Sequence, residues 1–383
     1  MICLADAEAQ GSTLSGNLYF VLWLLLSGSN WASKGRMSRR LARAEFASDN
    51  TTGICPEVWA ALQETNAGRS ESYGDDRWTA HARELVCELF EADCAVYFVL
   101  NGTAANALAL AQICQSHQSV ICHRYSHIQT DECGAPEFFS KGAKLLLVDG
   151  ANGKIDKHEA EATIARQVEF HAQKPRALSL TQPTELGTLY TPEEIRSLAE
   201  FAHSRSLAVH MDGARFANAV AALNRAPKEI SWQAGVDVLC FGGTKNGTPA
   251  GELVIFFNRE LAHDFDYRLK QAGQLPSKMR FLAGPWIGLL NNGVWLRNAQ
   301  HANTMAARLA ARLTSTANID IVFPVEANAV FARMSQQLAT ALHARGWRFY
   351  NFIEPEIYRF MCSWASTDEE IADFVADIVA LRP

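Results

Sequence analysis

A chain of 383 residues is long enough for one large domain or two, and 48% hydrophobic residues supply an ample core. A net charge of −6 and a pI near 6.0 argue against a nucleic-acid surface. Nine scattered cysteines (Cys3, Cys55, Cys87, Cys94, Cys114, Cys122, Cys133, Cys240 and Cys362) form no CxxC pair and no Cys/His cluster with metal spacing. They read as reduced, mostly buried thiols of a cytoplasmic protein that binds no metal.

Leu18–Leu26 (LYFVLWLLL) is intensely apolar but too short to span a bilayer. A signal peptide could be cleaved at Ser27-Gly28-Ser29, but no Lys or Arg precedes the apolar run. Residues 1–36 therefore read as an extension outside the working protein, with a start near Met37, and no membrane association is expected.

Phe46–Gly53 reads as an extended arm ending in a turn, and Pro56–Ala67 as a helix with proline in its first turn. Ser72-Tyr73-Gly74-Asp75-Asp76 is loop-like, and Asp75 or Asp76 caps a helix over Arg77–Phe90. Ala95–Leu100 is an apolar strand. The Asn101-Gly102-Thr103 turn after it opens an Ala/Leu-rich helix, whose free N–H groups suit a phosphate. By itself this is an ordinary strand-to-helix turn.

Val120–Cys122, Ala143–Val148 and Ala177–Leu180 read as buried strands, with helical patterns near 156–170 and 192–205 between later ones. Alternating strands and helices imply a mostly parallel sheet whose carboxyl ends line a site. Leu207–Met211 and Val236–Phe241 continue the series. The first ends at Asp212-Gly213-Ala214-Arg215 and the second at Gly242-Gly243-Thr244-Lys245-Asn246-Gly247. Singly, Asp212 reads as a turn residue and Lys245 as a solvated loop lysine. Together they match what pyridoxal 5′-phosphate requires: a lysine to attach it and a carboxylate to keep its ring nitrogen protonated.

From about Asn291 the pattern changes. A long helix over Val294–Leu313 leads to strands near 329–333 and 357–361 and helices near 335–345 and 368–381. The expected division is therefore 37–290 for the arm and large domain and 291–383 for a small α+β domain. Arg359 stands in an otherwise apolar strand, Ile357–Met361, as either a snorkelling edge residue or a carboxylate clamp.

HMDGAR at 210–215, FGGTKNG at 241–247 and SHIQTDECGA at 126–135 resemble the threonine aldolase branch of the β-eliminating lyase family. The resemblance runs from about Phe46 over most of the chain. It implies a fold type I, aspartate aminotransferase-like α/β large domain with a mostly parallel sheet and a smaller C-terminal α+β domain. It also implies pyridoxal 5′-phosphate, a small amino-acid substrate and a homo-oligomer, a dimer of dimers. SYGDD at 72–76 would lie near a subunit interface beside the cofactor.

By that resemblance Lys245 attaches the cofactor, Asp212 faces its ring nitrogen and His127 stacks on its ring. Gly102 and Thr103 hold its phosphate. Arg215 stands beside the ring and the substrate carboxylate, which Arg359 clamps with help from Ser48. The implied reaction splits L-threonine or L-allo-threonine into glycine and an aldehyde.

The sequence departs from the family at two places. TQPTELGT at 181–188 lacks a histidine that many members carry beside the substrate hydroxyl. QLPSKMRF at 274–281 lacks a glycine run, so Lys278 and Arg280 read equally as phosphate ligands of a neighbouring subunit or as a solvated basic pair. A phenylserine aldolase and a β-eliminating lyase would share Lys245 and Asp212. A non-catalytic protein on the same fold would have no need of them.

Overall fold

Seven strands form the larger sheet, in the order β1-β7-β6-β5-β4-β2-β3. They are β1 (Ala95–Val99), β2 (Gln118–His123), β3 (Lys144–Val148), β4 (Lys174–Thr181), β5 (Ala208–Gly213), β6 (Val238–Phe241) and β7 (Glu252–Phe256). This computed structural model describes residues 45–167 and 169–381. The extension read over 1–36 lies outside the described residues.

β3, β2, β4, β5 and β6 pair in parallel, and β7 runs antiparallel to both β6 and β1. β5, β6 and β7 are buried along their whole length, which explains their continuous apolar runs. The sequence reading did not identify β7.

Chain order reverses between β2 and β4. After β2 the chain moves outward to β3, then returns to β4 on the other side and continues through β5 and β6. A crevice opens at such a reversal, beyond the carboxyl ends of the strands. Turns following β2, β4, β5 and β6 all supply residues to the cavity described below.

Helices cover the sheet as their patterns predict. Gly102–Ile113 is buried from Ala105 almost to its end, as its lack of charged residues implies. Pro192–His203 is amphipathic and starts with a capping box between Thr191 and Glu194. Of the two candidate caps for Arg77–Phe90, Asp76 serves, accepting the Thr79 N–H at 2.8 Å.

The smaller sheet is antiparallel throughout, in the order β10-β11-β9-β8: β8 (Asp320–Ile321), β9 (Ala329–Arg333), β10 (Tyr350–Ile353) and β11 (Ile357–Met361). Its own core contains Trp347, Phe349, Phe360 and Phe374, together with Leu309 and Leu313 of helix Val294–Ser315. Phe46 of the arm also packs there, its ring centroid 5.0 Å from that of Phe374. The Phe46 N–H donates to Arg348 O, and its carbonyl accepts from the Met361 N–H. The arm is thus tied to the small sheet. On β11, Tyr358 and Phe360 face this core, while Arg359 and Met361 line the cavity.

The described cysteines are free thiols, buried except for half-buried Cys87 and exposed Cys133. Cys3 lies outside the described residues. Among the described residues no helix is long and apolar enough to cross a membrane.

Candidate active site

Two strand ends meet through backbone contact. A Cβ on Gly242 would lie 2.2 Å from the Ala214 carbonyl oxygen, so only glycine lets the loop after β6 approach the loop after β5 so closely. Glu252 fixes the second loop by accepting the Gly243 N–H at 2.6 Å. Asp212 and Lys245 are brought to one cavity of about 720 Å³, which Ser48, His127, Arg215 and Arg359 also line.

Asp212 is buried. Its Oδ2 accepts from Asn106 Nδ2 at 2.8 Å and its Oδ1 from the Ala214 N–H at 3.0 Å. Burial alone would raise its pKa, but His127, the Ala214 N–H, Lys245 and Asn106 outweigh it and hold the carboxyl below its usual range. Lys245 moves the other way: burial and then the Arg215 cation lower its amine pKa, against Asp49, Asp212 and Glu252. A lysine so placed has more of its amine in the nucleophilic form.

His127 starts the short helix His127–Thr130, and its Nδ1 lies 2.8 Å from Glu132 Oε1. Burial works to lower its pKa, but the Glu132 bond and the Asp212 charge raise it overall. Asn106 Nδ2 bridges Glu132 Oε1 and Asp212 Oδ2, each at 2.8 Å. His127, Glu132 and Asp212 offer ligand atoms within 4.8 Å of one another. The Asn106 amide joins the two carboxylates, so the group forms a hydrogen-bonded chain from His127 through Glu132 and Asn106 to Asp212.

Arg215 precedes helix Phe216–Leu223 as its N-cap. Its Nε and Nη2 donate to Asp49 Oδ2 and Oδ1 at 2.6 and 2.8 Å, leaving Nη1 for a ligand. Arg359 has no carboxylate partner among the described residues. Its Nη2 reaches only Ala47 O at 3.4 Å and its buried Nε has no partner. Burial, then the Arg215 charge, lower its pKa to about 10. Ser48 Oγ accepts the Asn50 N–H at 3.1 Å, which leaves its hydroxyl hydrogen free to meet an anion.

Gly102 and Thr103 do not line the cavity wall. They begin the helix that carries Asn106, which lies one turn further on and bonds Asp212. Lys278 is exposed, and Arg280 has a buried Nε with no hydrogen-bond partner among the described residues. His210 of the HMDGAR segment is not on the cavity. It bonds Ser179 and Cys240 within the sheet, and burial lowers its pKa to about 4.

The donor set fits pyridoxal 5′-phosphate: an amine, an ionised carboxylate, an imidazole, and a helix N-terminus one turn from the residue that bonds that carboxylate. Asp49, Asn106 and Glu132 went unread in the sequence. Only Glu132 carried a local signal, standing five residues beyond His127 in the motif already singled out.

The beta-eliminating lyase family model matches residues 45–337. The chain belongs to the beta-eliminating lyase family. Within it, the chain is 54% identical over 334 residues to the low specificity L-threonine aldolase of Pseudomonas aeruginosa, covering 87% of this chain and 96% of that one. The structure of a threonine aldolase from Leishmania major superposes with a TM-score of 0.83 at 27% identity, covering 88% of this chain and 99% of that one. A serine palmitoyltransferase from Sphingomonas wittichii shares the fold, with a TM-score of 0.67 at 12% identity over 97% and 98% of the two chains. The family and these folds imply pyridoxal 5′-phosphate as the cofactor.

Proposed function

We propose that this protein is a pyridoxal 5′-phosphate-dependent carbon–carbon lyase that splits L-threonine and L-allo-threonine into glycine and an aldehyde. One observation carries the reading: an aldolase-like sequence over nearly the full length of the Pseudomonas relative converges on a cavity holding Lys245, Asp212 and His127.

Bound there, the cofactor supplies a sink for the electron pair of a bond broken at Cα. Lys245 would attach it and Asp212 would hold its ring nitrogen protonated. His127 would stack on the ring, and Gly102 and Thr103 would receive the phosphate. Arg359, which has no carboxylate partner among the described residues, would bind the substrate carboxylate, helped by the Ser48 hydroxyl and Arg215 Nη1. Fixing that carboxylate would orient the substrate so that its Cα–Cβ bond is the one the cofactor's electron sink acts on.

The same reading makes the protein a cytoplasmic homo-oligomer, a dimer of dimers, with its chain divided at 290/291. Light scattering measures the first, and limited proteolysis near residue 290 the second. The activity is tested by incubating the purified protein with L-threonine, L-allo-threonine, phenylserine and serine and identifying the products. Glycine and acetaldehyde from threonine support the proposal. An α-keto acid with ammonia would replace it by a β-elimination.

A further inference from the structure

A carboxyl in the turn after β4 has no part in the roles above. β4 ends at Thr181, and Glu185 follows in a turn closed by Thr184 N–H to Thr188 O at 2.8 Å and Gly187 N–H to Thr184 O at 2.9 Å. The two threonine hydroxyls, 2.8 Å apart, brace it further. Glu185 lines the same cavity as Lys245 and Asp212. Its Oε1 accepts the His127 N–H at 2.9 Å and the Thr181 hydroxyl at 2.8 Å. Its Oε2 is buried with no hydrogen-bond partner among the described residues. These bonds join the turns after β2 and β4, the two sides of the point where strand order reverses.

A buried carboxyl oxygen without a partner is costly, and a rigid turn does not let it escape to water. A ligand hydroxyl in the cavity would satisfy it. His127 is the other candidate for proton transfer, but its Nδ1 is committed to Glu132 and its neighbours favour the cation, which cannot accept a proton. We propose that Glu185 is the acid–base residue of this site, its Oε2 accepting the proton of the substrate's β-hydroxyl as the Cα–Cβ bond breaks.

The proposal rests on the aldolase reading. The O–H pair becomes the second bond of the aldehyde carbonyl, and the Cα–Cβ pair stays at Cα. Oε2 gains one proton and Cα takes up one to become glycine, so releasing the proton from Oε2 to water closes the turnover with no net change.

The charged and titratable groups around Glu185 suit this role. Burial and then Asp212 on β5 push its carboxyl up to about 7, against the bonds from Thr181 and from backbone N–H groups. Arg215 before the next helix, His127, Tyr190 and Cys122 are its other titratable neighbours. A base is most effective when its pKa lies near the working pH.

Glu185→Gln, Glu185→Asp and the native holoenzyme are compared in three measurements. The first is L-threonine cleavage against pH. Glu185→Gln should lower turnover roughly 10²- to 10⁴-fold and remove the limb near neutral pH, while Glu185→Asp keeps the limb with partial activity. The second is glycine binding followed by the bound cofactor's visible spectrum. Glycine has no β-hydroxyl, so its affinity should stay within about twofold of native.

The third needs no cofactor: melting of the apo-proteins against pH. Between the unfolded carboxyl value of about 4.3 and the folded value, the native protein keeps a proton that the unfolded chain has lost. Its stability from this group therefore falls as pH rises. The Glu185→Gln melting temperature should rise relative to native across that interval.

Native-like turnover and pH profile in Glu185→Gln would overturn the proposal and leave the aldolase reading intact. A native enzyme that does not cleave threonine would instead remove the reading on which the proposal rests. If the Gln variant does not fold, a Glu185→Asp enzyme that loses the neutral limb overturns it equally.

Discussion

Asp49 meets Arg215 edge to edge, with Nε to Oδ2 at 2.6 Å and Nη2 to Oδ1 at 2.8 Å. The pair joins an arm residue to the end of β5 across 166 positions of sequence. Asn328 Nδ2 adds a third bond, to Asp49 Oδ2 at 3.0 Å. Of the two cavity arginines, one is therefore neutralised by the protein, while the other, Arg359, has no carboxylate partner among the described residues.

Removing Asp49 leaves Arg215 buried and unpaired. Asp49→Ala should cost about 3–5 kcal/mol of folding stability, read from the urea midpoint of the apo-protein. Burial works to raise the Asp49 pKa, but Arg215, Lys245 and Asn328 outweigh it and hold it low. Its stabilisation is therefore fully present above the unfolded carboxyl value and lost as pH falls through the folded one. Asp49→Ala should flatten the acid limb of stability, and an unchanged limb would show that the pair contributes nothing net.

Gly242 is set by sterics alone. A methyl there meets the Ala214 carbonyl oxygen at 2.2 Å, a backbone atom that cannot turn aside. Gly242→Ala should push apart the loops that carry Asp212 and Lys245, and weaken cofactor retention by at least tenfold, about 1.4 kcal/mol. Gly53, where a Cβ meets nothing within 4 Å, is the control. Gly53→Ala should retain cofactor normally in the same dialysis experiment, and equal retention by both variants would refute the contact argument.

The site was legible where chemistry and strand ends coincide in sequence. Asp212 and Lys245 each follow a short apolar run, and Arg359 stands out as the one charge in an apolar strand. Asp49 lies in a polar stretch, ASDNTTG, where any aspartate reads as a turn residue, and only the fold brings Arg215 to it. Asn106 is hidden in an Ala/Leu-rich helix whose composition records burial but no partner. β7 was missed because its four apolar residues, Leu253 to Phe256, follow a Gly-rich loop, and so short a run has no period to distinguish strand from helix. The hydrogen-bonded chain through Glu132 depends on the contact of the helix Gly102–Ile113 with the turn after β2, which no local pattern encodes.

Lys245→Ala should bring turnover below detection, since in the proposed reading attachment and release of the cofactor would both use its amine. Native protein treated with borohydride should retain cofactor through denaturation, and the variant should not. Cofactor trapped covalently in Lys245→Ala would place the attachment on another residue.

Arg359 gives the sharpest test of substrate orientation. Its guanidinium lies 5.0 Å over the Phe352 ring, and its buried Nε has no partner among the described residues, so the side chain is positioned without being neutralised by them. A planar guanidinium grips a carboxylate through two parallel bonds, which the point charge of lysine cannot reproduce. Arg359→Lys should therefore raise KM for L-threonine by roughly tenfold and lower kcat as well, because a loosely held carboxylate no longer fixes which Cα bond stands perpendicular to the ring. Arg359→Ala should be worse, with a loss of roughly 10²- to 10³-fold in kcat/KM, about 3–4 kcal/mol. The bound-cofactor spectrum should not change in either variant, since neither Lys245 nor Asp212 bonds Arg359. Steady-state kinetics with spectra taken on the same preparations decide the matter. Normal kinetics in both variants would leave Arg359 as an edge-strand arginine and shift the carboxylate to Arg215 Nη1.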